Sequence, residues 1–571
     1  SLCFQLPALL RDGLTVVVSP LLALMRDQVR SLRAAGVEAG ALTSANSEEE
    51  NAGIRAALGE GRLRLLYLAP ERLAQAGTAA GLRRWGTTLL AVDEAHCVSQ
   101  WGHDFRPDYL RIGPLRDALG VPLAAFTATA DEETREEIVA RLFGGREPAT
   151  FLRGFDRPNI HLGFALKDEP RRQALDYVRA RKGRAGIVYC GTRSKTEVLA
   201  QALRGAGVEA IAYHAGMEPE ARRLAEERFG REDGLVVAAT VAFGMGIDKP
   251  DIRWVLHADL PKSVEGYWQE VGRAGRDGLP AEALALYGAD DIRLRRSQID
   301  EGAAPEARKV ADHGRLNALL GLAEAAGCRR QALLRHFGEE AGPCGACDTC
   351  DRPVEVFDAT TPARMLLSAA LRTEERFGGG HLVDLLLGEA TDKVRQWGHD
   401  GLPTFGVGRD WDRRQWQAML RQMMGRDLLR PDPSRHGALR LTDAAVPVLR
   451  GEEGVAMRRD LVPARGGLAR REAEARPLVA DEADAGLLAA LKALRRSLAQ
   501  AQGVPAYVVF PDRTLIEMAE RRPATLDAMA QVSGVGARKL GAYGRAFLEV
   551  VLGAPAPEVH PARRALAGRE E

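Results

Sequence analysis

Short runs of apolar residues recur through the first half of the chain, and each is followed by a stretch whose apolar positions return with a helical period. The runs occupy residues 14–18, 63–68, 89–92 and 123–127, and then 185–189, 210–213, 235–239, 254–257 and 283–287. Strands that alternate with helix-length segments form parallel sheets with right-handed crossovers. The pattern therefore predicts two consecutive α/β domains, over residues 1–160 and 161–295.

The second half of the chain has a different pattern. A cysteine-bearing segment occupies residues 296–355, and a helical region with a hairpin-like end at 428–441 occupies residues 356–452. A polar stretch rich in Arg, Glu and Ala, residues 453–484, is typical of a linker. We predict a small helical domain over residues 485–553 and a disordered tail, rich in proline and charge, over 554–571.

Composition narrows the class of protein. Hydrophobic residues make up 46% and charged residues 27% of the 571 residues, which is typical of a globular chain. No apolar segment reaches the ~18 residues of a membrane helix, so we expect no membrane association. The net charge is only +1, so any nucleic-acid site must be a local patch.

Residues 92–109 read VDEAHCVSQWGHDFRPDY and carry the most informative chemistry. Asp93 and Glu94 directly follow an apolar run, where a nucleotide-hydrolysing sheet places its metal-binding and water-activating acids. The loop that follows contains side chains suited to stacking on a nucleic-acid strand and neutralising it, namely Trp101, His103, Phe105, Arg106 and Tyr109. The alternative is a buried strand end followed by an ordinary aromatic loop.

Two further segments are consistent with a nucleotide site. The chain opens with an amphipathic helix start at Ser1, and a phosphate-binding loop that ends in G-K-[ST] runs into such a helix. Ser1 would then ligate Mg²⁺ together with Asp93. Residues 269–278 (QEVGRAGRDG) place Arg273 and Arg276 three positions apart, and we predict that both lie on one face of a helix. There they could meet a γ-phosphate as arginine fingers.

Four of the seven cysteines follow the pattern C-x₁₅-C-x₂-C-x₂-C. This spacing at Cys328, Cys344, Cys347 and Cys350 is typical of a tetrahedral zinc site in a reducing compartment, and an Fe–S cluster is the alternative metal centre. Disulfides fit the short spacings less well. The other three cysteines adjoin apolar runs, so we expect core packing for Cys3, Cys97 and Cys190.

The chain resembles the RecQ family of superfamily 2 DNA helicases over essentially its whole length. Eight segments occur in the family's order, and the SQWGHDFRP extension of D-E-A-H distinguishes this family from other helicases. Besides 92–109 and 269–278, the segments are 19–29 (SPLLALMRDQV), 68–73 (LAPERL), 126–130 (FTATA), 186–193 (GIVYCGTR), 213–217 (YHAGM) and 239–250 (ATVAFGMGIDKP).

The resemblance implies a role for each matching residue. Asp93 and Glu94 would be the catalytic acids, while Gln269, Arg273 and Arg276 would face ATP from the second domain. Residues that would couple hydrolysis to movement and to DNA are Thr127, Thr129 and the aromatic-rich loop of Trp101, His103, Phe105 and Arg106. Strand contacts would come from Ser19, Arg26, Arg193, His214, Met217 and Thr240. The implied cofactors are ATP, Mg²⁺ and a structural Zn²⁺.

The accessory regions resemble the family's zinc-binding, winged-helix and HRDC-like helical domains. They imply a 3′-to-5′ DNA helicase that acts in repair, recombination, replication and the SOS response, on single-stranded DNA and on duplexes with 3′ tails or junctions. We further expect a monomer in the bacterial cytoplasm, associated with the nucleoid, with a single-strand-binding protein as a partner.

One departure from the family pattern concerns the phosphate-binding (Walker A) loop, whose Gly and Lys would lie upstream of Ser1. We therefore expect the 571-residue polypeptide to hydrolyse ATP poorly. DNA-stimulated phosphate release, compared with that of a polypeptide extended upstream through the loop, tests this expectation. The alternative functions are a DNA-binding module without a motor, an RNA helicase with the same two-domain motor, and a duplex translocase.

Overall fold

The computed structural model describes residues 1–43, 46–75, 77–99, 105–128, 132–244, 249–432, 435, 438–459 and 482–553. Trp101 and His103 of the aromatic-rich loop, Thr129 and the predicted tail lie outside the described residues. Among the helices described here, none is both long enough and apolar enough to cross a membrane.

The first α/β domain contains a five-stranded parallel sheet with the strand order β2-β3-β1-β4-β5. Its strands are β1 Leu14–Val18, β2 Ala39–Leu42, β3 Leu65–Leu68, β4 Thr87–Val92 and β5 Leu123–Ala125. Its α-helices are α1 Leu2–Leu10, α2 Leu22–Ala34, α3 Glu48–Gly59, α4 Thr78–Arg84, α5 Ile112–Leu119 and α6 Glu132–Phe143, and short 3₁₀ turns span Pro70–Ala74, Ala95–Val98 and Pro107–Arg111. The predicted parallel sheet is confirmed, with β2 as an additional edge strand.

The second α/β domain contains six parallel strands in the order β6-β11-β10-β7-β9-β8. The strands are β6 Ile160–Leu166, β7 Gly186–Tyr189, β8 Ala210–Tyr213, β9 Val236–Ala239, β10 Trp254–His257 and β11 Ala281–Tyr287. The helices are α7 Pro170–Arg179, α8 Arg193–Gly205, α9 Pro219–Arg231 and α10 Val264–Val271. Polar residues that follow β7, β8 and β9 consequently lie along one edge of this sheet.

The predicted arginine helix is wrong in one respect. Helix α10 ends at Val271, so Arg273 and Arg276 lie in the turn segment that follows it. Glycine explains the early end, because Gly275 and Gly278 take left-handed φ angles of +59° and +81° that interrupt a helix. The two arginines are therefore positioned by a loop, residues 272–279, which we call the arginine loop.

The zinc-binding segment packs against the second sheet. Its helices are α11 Ala289–Asp300, α12 Glu306–Ala323, α13 Arg329–His336 and α14 Asp348–Asp351. A parallel β-bridge joins Cys347 to Leu162 of β6, and the Asp348 carboxylate accepts hydrogen bonds from the Phe164 backbone N–H (2.9 Å) and from the Arg329 guanidinium (2.8 Å). The cysteine segment is thus attached to an edge strand of the motor.

Within its described residues, the winged-helix region contains five α-helices, a 3₁₀ turn at His399–Gly401 and two small antiparallel sheets. The helices are α15 Thr360–Arg372, α16 Gly379–Leu387, α17 Asp392–Gln396, α18 Arg413–Gly425 and α19 Ala445–Arg450. The predicted hairpin is present as β13 Leu429–Asp432 paired with β14 Ala438–Leu441. The predicted linker begins too early, because β15 Ala456–Arg458 pairs with β12 Val356–Asp358.

The C-terminal region is helical, as predicted, and touches the second motor domain. Its helices are α20 Glu482–Gln502, α21 Ala506–Val509, α22 Asp512–Arg521, α23 Leu526–Ala530, α24 Ala537–Lys539 and α25 Arg545–Leu552, with a π turn at Leu540–Gly544. Leu279 of the arginine loop packs against its apolar core. Asp233 forms ion pairs with Arg495 (3.5 Å) and Arg496 (3.3 Å) of α20.

The apolar clusters of the molecule do not coincide with its domains. One continuous cluster runs from the second sheet through α12, α13 and the cysteines into the winged-helix region. The first motor domain has two clusters, one on each side of its sheet. The C-terminal helices enclose a cluster of their own.

Candidate nucleotide and nucleic-acid site

Asp93 and Glu94 follow directly after β4, beside the end of β1. The Asp93 backbone N–H donates to the Val18 carbonyl (2.9 Å), and the Ser19 hydroxyl donates to Asp93 Oδ2 (3.4 Å). Burial raises the pKa of the Asp93 carboxyl, and the positive amino terminus of Ser1 opposes this most strongly. The pairing of Ser1 with Asp93 as Mg²⁺ ligands stays a prediction. A divalent cation fits this site, because it would supply the countercharge that a partly desolvated carboxylate needs.

Glu94 is held in an unusual backbone conformation next to a buried histidine. Its φ of 49° lies in the left-handed region, which is rare outside glycine. The His96 Nδ1 lies 3.4 Å from Glu94 Oε2 and 2.9 Å from the Thr127 hydroxyl. His96 therefore links the predicted water-activating acid to Thr127, a predicted coupling residue just after the end of β5. We did not predict a role for His96, although it is part of the D-E-A-H segment itself.

The segment after the acid pair folds back onto it. The backbone N–H of Arg106 donates to the Cys97 carbonyl (2.9 Å), and its guanidinium donates to the Pro20 carbonyl (3.2 Å). Tyr109 is fully buried, and its hydroxyl donates to the Asp93 carbonyl (2.9 Å). The predicted stacking role of Tyr109 is therefore wrong, because its ring is enclosed in the core. Phe105 and Arg106 are half-buried at the edge of this connection.

The second domain places its three predicted nucleotide residues in different environments. Gln269 is half-buried, and Arg276 is exposed. Arg273 is only 5% exposed and donates a hydrogen bond to the Gly244 carbonyl. Its Nε is buried and has no hydrogen-bond partner among the described residues. Gly244 is required beside it, because a Cβ there would lie 2.4 Å from that Nε.

Predicted strand-contact residues of the second domain follow the ends of three neighbouring strands. Arg193 is exposed after β7, and Thr240 is half-buried after β9. After β8, His214 is buried with its Nε2 3.0 Å from Glu197 Oε1, and its backbone N–H donates to the Met217 sulfur (3.4 Å). The structure therefore brings these four side chains to one edge of the sheet.

The corresponding residues of the first domain differ in exposure. Arg26 is exposed on α2, whereas Ser19 is fully buried and donates to Asp93. A strand contact from the Ser19 hydroxyl stays a prediction, since in this structure that hydroxyl faces the acid pair. Burial raises the pKa of Glu226 on α9, while the charges of Asp27 and Arg26 on α2 act on this pKa in opposite directions.

The four clustered cysteines form a preorganised metal site. Their sulfur atoms all lie within 4.8 Å of one another, close to the ~3.8 Å separation of thiolates on a tetrahedral zinc ion. Burial favours the thiol of Cys347, but the Thr349 side chain and the backbone N–H groups of Arg329 and Cys350 outweigh burial and lower its pKa. A lowered thiol pKa favours the thiolate that a metal requires.

The isolated cysteines divide by exposure. Cys97 and Cys190 are buried, which confirms core packing for both, and burial raises the pKa of Cys190 to about 12. The same expectation for Cys3 is wrong, because its side chain is exposed on α1. Cys3 faces outward since Phe4 and Ala8 provide the buried face of this helix.

Comparison with protein families assigns a description to each region. The DEAD/DEAH box helicase family matches residues 1–138, and the helicase conserved C-terminal domain matches 170–278. The RecQ zinc-binding family matches residues 289–351, the RQC domain 353–465 and the HRDC domain 484–551.

Curated relatives agree with these matches. The chain is 39% identical to the ATP-dependent DNA helicase RecQ of Pasteurella multocida (strain Pm70), over 96% of this chain and 87% of the relative. It is also 39% identical to the enzyme of that name from Haemophilus influenzae, over 96% and 89%. The Bacillus subtilis (strain 168) enzyme of that name is 36% identical, over 96% and 91%.

Two RecA-like parallel sheets, with an acid pair at the edge of one and arginines beside the other, define a nucleotide-driven helicase motor. The zinc-binding, RQC and HRDC regions narrow that class further. The chain belongs to the RecQ family and is an ATP-dependent DNA helicase, for which ATP, Mg²⁺ and Zn²⁺ are the cofactors.

Proposed function

We propose that the protein unwinds DNA with 3′-to-5′ polarity, and that Asp93, Glu94, Gln269, Arg273 and Arg276 form its ATP site. The observation that carries the site is the position of Asp93 and Glu94 directly after β4, where Ser19 donates to Asp93 and His96 contacts Glu94. In this scheme Asp93 and the Ser1 hydroxyl would hold Mg²⁺, which would supply electrostatic stabilisation of the phosphates. Glu94 orients and deprotonates the attacking water.

The arginines act from the second domain. Arg276 is exposed and can reach a phosphate directly, whereas Arg273 has a buried Nε whose N–H is available to a ligand or to a rearranged loop. Closure of the two domains would bring the positive charges of Arg273 and Arg276 close to the negative charge that develops in the transition state. The arginines would thereby stabilise that state. Gln269, half-buried on α10, would contact the nucleotide from the same side.

We propose that the aromatic-rich loop reports DNA occupancy to the acid pair. Support comes from the chain of contacts from Arg106 through Cys97 to the turn that contains His96. Replacing Phe105 and Arg106 together by alanine is expected to leave the Kd for single-stranded DNA within about threefold of the parent. The same variant is expected to abolish DNA stimulation of ATP hydrolysis in a polypeptide extended upstream through the phosphate-binding loop. Retained stimulation would contradict the role of the loop.

The polarity, partners and location of the helicase complete the proposal. Family membership supports 3′-tailed duplexes and junctions as substrates, a single-strand-binding protein as partner, and a monomer at the nucleoid of the bacterial cytoplasm. Displacement of a labelled strand from 3′-tailed but not 5′-tailed duplexes is the expected result. Sedimentation equilibrium tests the monomer, and unwinding of 5′-tailed duplexes alone would overturn the polarity.

A further inference from the structure

The segment that joins the two motor domains lies against the arginine loop. We call residues 151–159 the connector; it leads directly into β6. The Arg157 guanidinium donates three hydrogen bonds to the arginine loop, to the carbonyls of Gly272 (3.2 Å), Ala274 (3.0 Å) and Gly275 (3.0 Å). These carbonyls flank Arg273 and directly precede Arg276. One connector side chain therefore holds the backbone on both sides of the first finger.

Asn159 extends the same contact along the loop. Its side-chain amide donates to the carbonyls of Gly275 (2.8 Å) and Leu279 (2.9 Å). Gly275 is required at this position, because a Cβ there would lie 2.4 Å from the Asn159 amide nitrogen. The arginine loop is rich in glycine, so it has little conformational preference of its own and depends on such contacts for a single geometry.

The connector itself is anchored to the zinc-binding segment and to α10. The Phe155 backbone N–H donates to Glu339 Oε1 (2.7 Å), and the Phe155 ring stacks on Phe337 with ring centres 4.6 Å apart. Asp156 pairs with Arg330 (2.7 Å), and the Trp268 indole donates to the Phe155 carbonyl (3.2 Å). Arg157 is thus presented to the loop from a segment that is fixed at two points.

We propose that Arg157 is a positioning residue for ATP hydrolysis, which sets the arginine loop so that Arg273 and Arg276 can meet the nucleotide. The proposal rests on the ATP-site role proposed above for those two arginines. A planar guanidinium can donate to several carbonyls at once, which an ammonium group cannot do with the same geometry. Since Arg157 belongs to the connector, the connector and the arginine loop form one hydrogen-bonded unit.

Three variants separate this role from charge and from general stability. Arg157→Ala removes the hydrogen-bond donors, and Arg157→Lys keeps the positive charge but loses the planar guanidinium. Arg153→Ala removes a charge from an exposed position of the same connector and serves as the matched control. In a polypeptide extended upstream through the phosphate-binding loop, we expect kcat for DNA-stimulated hydrolysis to fall by about 10-fold to 100-fold in both Arg157 variants. KM for ATP, the Kd for DNA and the kcat of the Arg153 variant should change less than about threefold.

Removal of both arginines provides the decisive readout. If Arg157 acts only through Arg273 and Arg276, kcat of the Arg157→Ala, Arg273→Ala, Arg276→Ala triple variant equals that of the Arg273→Ala, Arg276→Ala double variant. Faster hydrogen exchange at residues 272–279 in Arg157→Ala is expected as well. Multiplicative losses, or full activity in Arg157→Lys, would overturn the positioning role. Normal kcat in both Arg273→Ala and Arg276→Ala would instead refute the proposed ATP site, independently of Arg157.

Discussion

Asp93 is a carboxylate that folding places away from water before any metal ion binds. Because burial raises its pKa, the ionised form is less stable in the folded than in the unfolded chain. This cost is present above the raised pKa and disappears as the pH falls through it. The ionised Asp93 therefore slightly destabilises the folded protein, and binding of a cation would remove this cost.

Asp93→Asn is therefore expected to stabilise the nucleotide-free protein. At pH 8 in EDTA the midpoint of thermal unfolding of the first motor domain should rise by about 2 °C, and the gain should shrink as the pH falls through the raised pKa of Asp93. Differential scanning calorimetry across this range measures the effect. Asp108→Asn, which removes a partly exposed carboxyl of the same loop, should show no such trend. An unchanged gain at every pH would contradict the explanation.

His96 is the residue whose importance only the structure reveals. We expect His96→Ala to lower DNA-stimulated kcat by about 10-fold to 100-fold with little change in the KM for ATP, because Glu94 would lose its neighbour. Thr127→Val removes the same hydrogen bond from its other end and should produce a similar loss. Steady-state kinetics of both variants check this, and normal turnover in either would count against the link.

The sequence could predict those site residues that lie close to one another along the chain. Asp93 and Glu94 follow an apolar run, and Arg273 and Arg276 lie in one short segment. The contact of His96 with Thr127 spans 31 residues, and that of Arg157 with the Ala274 carbonyl spans 117. Such contacts depend on how strands align in a sheet, which a motif does not encode.

At the scale of elements, the central strands could be predicted and two edge strands could not. β2 Ala39–Leu42 is short and contains alanine and glycine, which have weak strand propensity. β6 Ile160–Leu166 contains His161 and Gly163, so its apolar pattern is interrupted. Both strands exist because a neighbouring strand offers hydrogen-bonding partners, which is a tertiary effect.

The cysteine segment is an element that depends on its metal. We expect Cys347→Ser to lower bound zinc from about one ion per chain to near zero and to expose this segment to trypsin, because ligation supplies much of the folding free energy of such sites. Zinc content by mass spectrometry and limited proteolysis measure both effects. Cys3→Ser, an exposed cysteine, should retain zinc and resist trypsin. Protease resistance in a zinc-free variant would contradict the expectation.

At the scale of the whole molecule, Glu324 joins the zinc-binding segment to the winged-helix region. It lies at the end of α12, and its carboxylate is 2.7 Å from both Arg421 of α18 and Arg458 of β15. Burial opposes the charge, but the two arginines outweigh burial, so the pKa of Glu324 lies below its ordinary value. The stabilisation is therefore present at neutral pH and is lost as the pH falls.

Glu324→Gln should destabilise the protein by about 3–5 kcal/mol at pH 7, because two arginines would stay buried with only a neutral partner. The difference from the parent should narrow towards pH 4, because the Glu324 carboxyl of the unfolded chain takes up a proton before that of the folded chain does. Urea unfolding at the two pH values tests the sign. Glu340→Gln, at an exposed position, is the matched control and should have little effect. A larger cost at pH 4 than at pH 7 would rule out this account.

The continuous apolar core of the second motor domain, the zinc-binding segment and the winged-helix region has a mechanical consequence. Dense cores resist internal deformation, so these three regions should turn as a single rigid lever when the cleft to the first domain closes. A small rotation at the nucleotide would then become a larger displacement at the far end of the lever, in proportion to its distance from the hinge. The length of that arm, rather than the chemistry, would set how far the winged helix moves along a duplex in each cycle of hydrolysis.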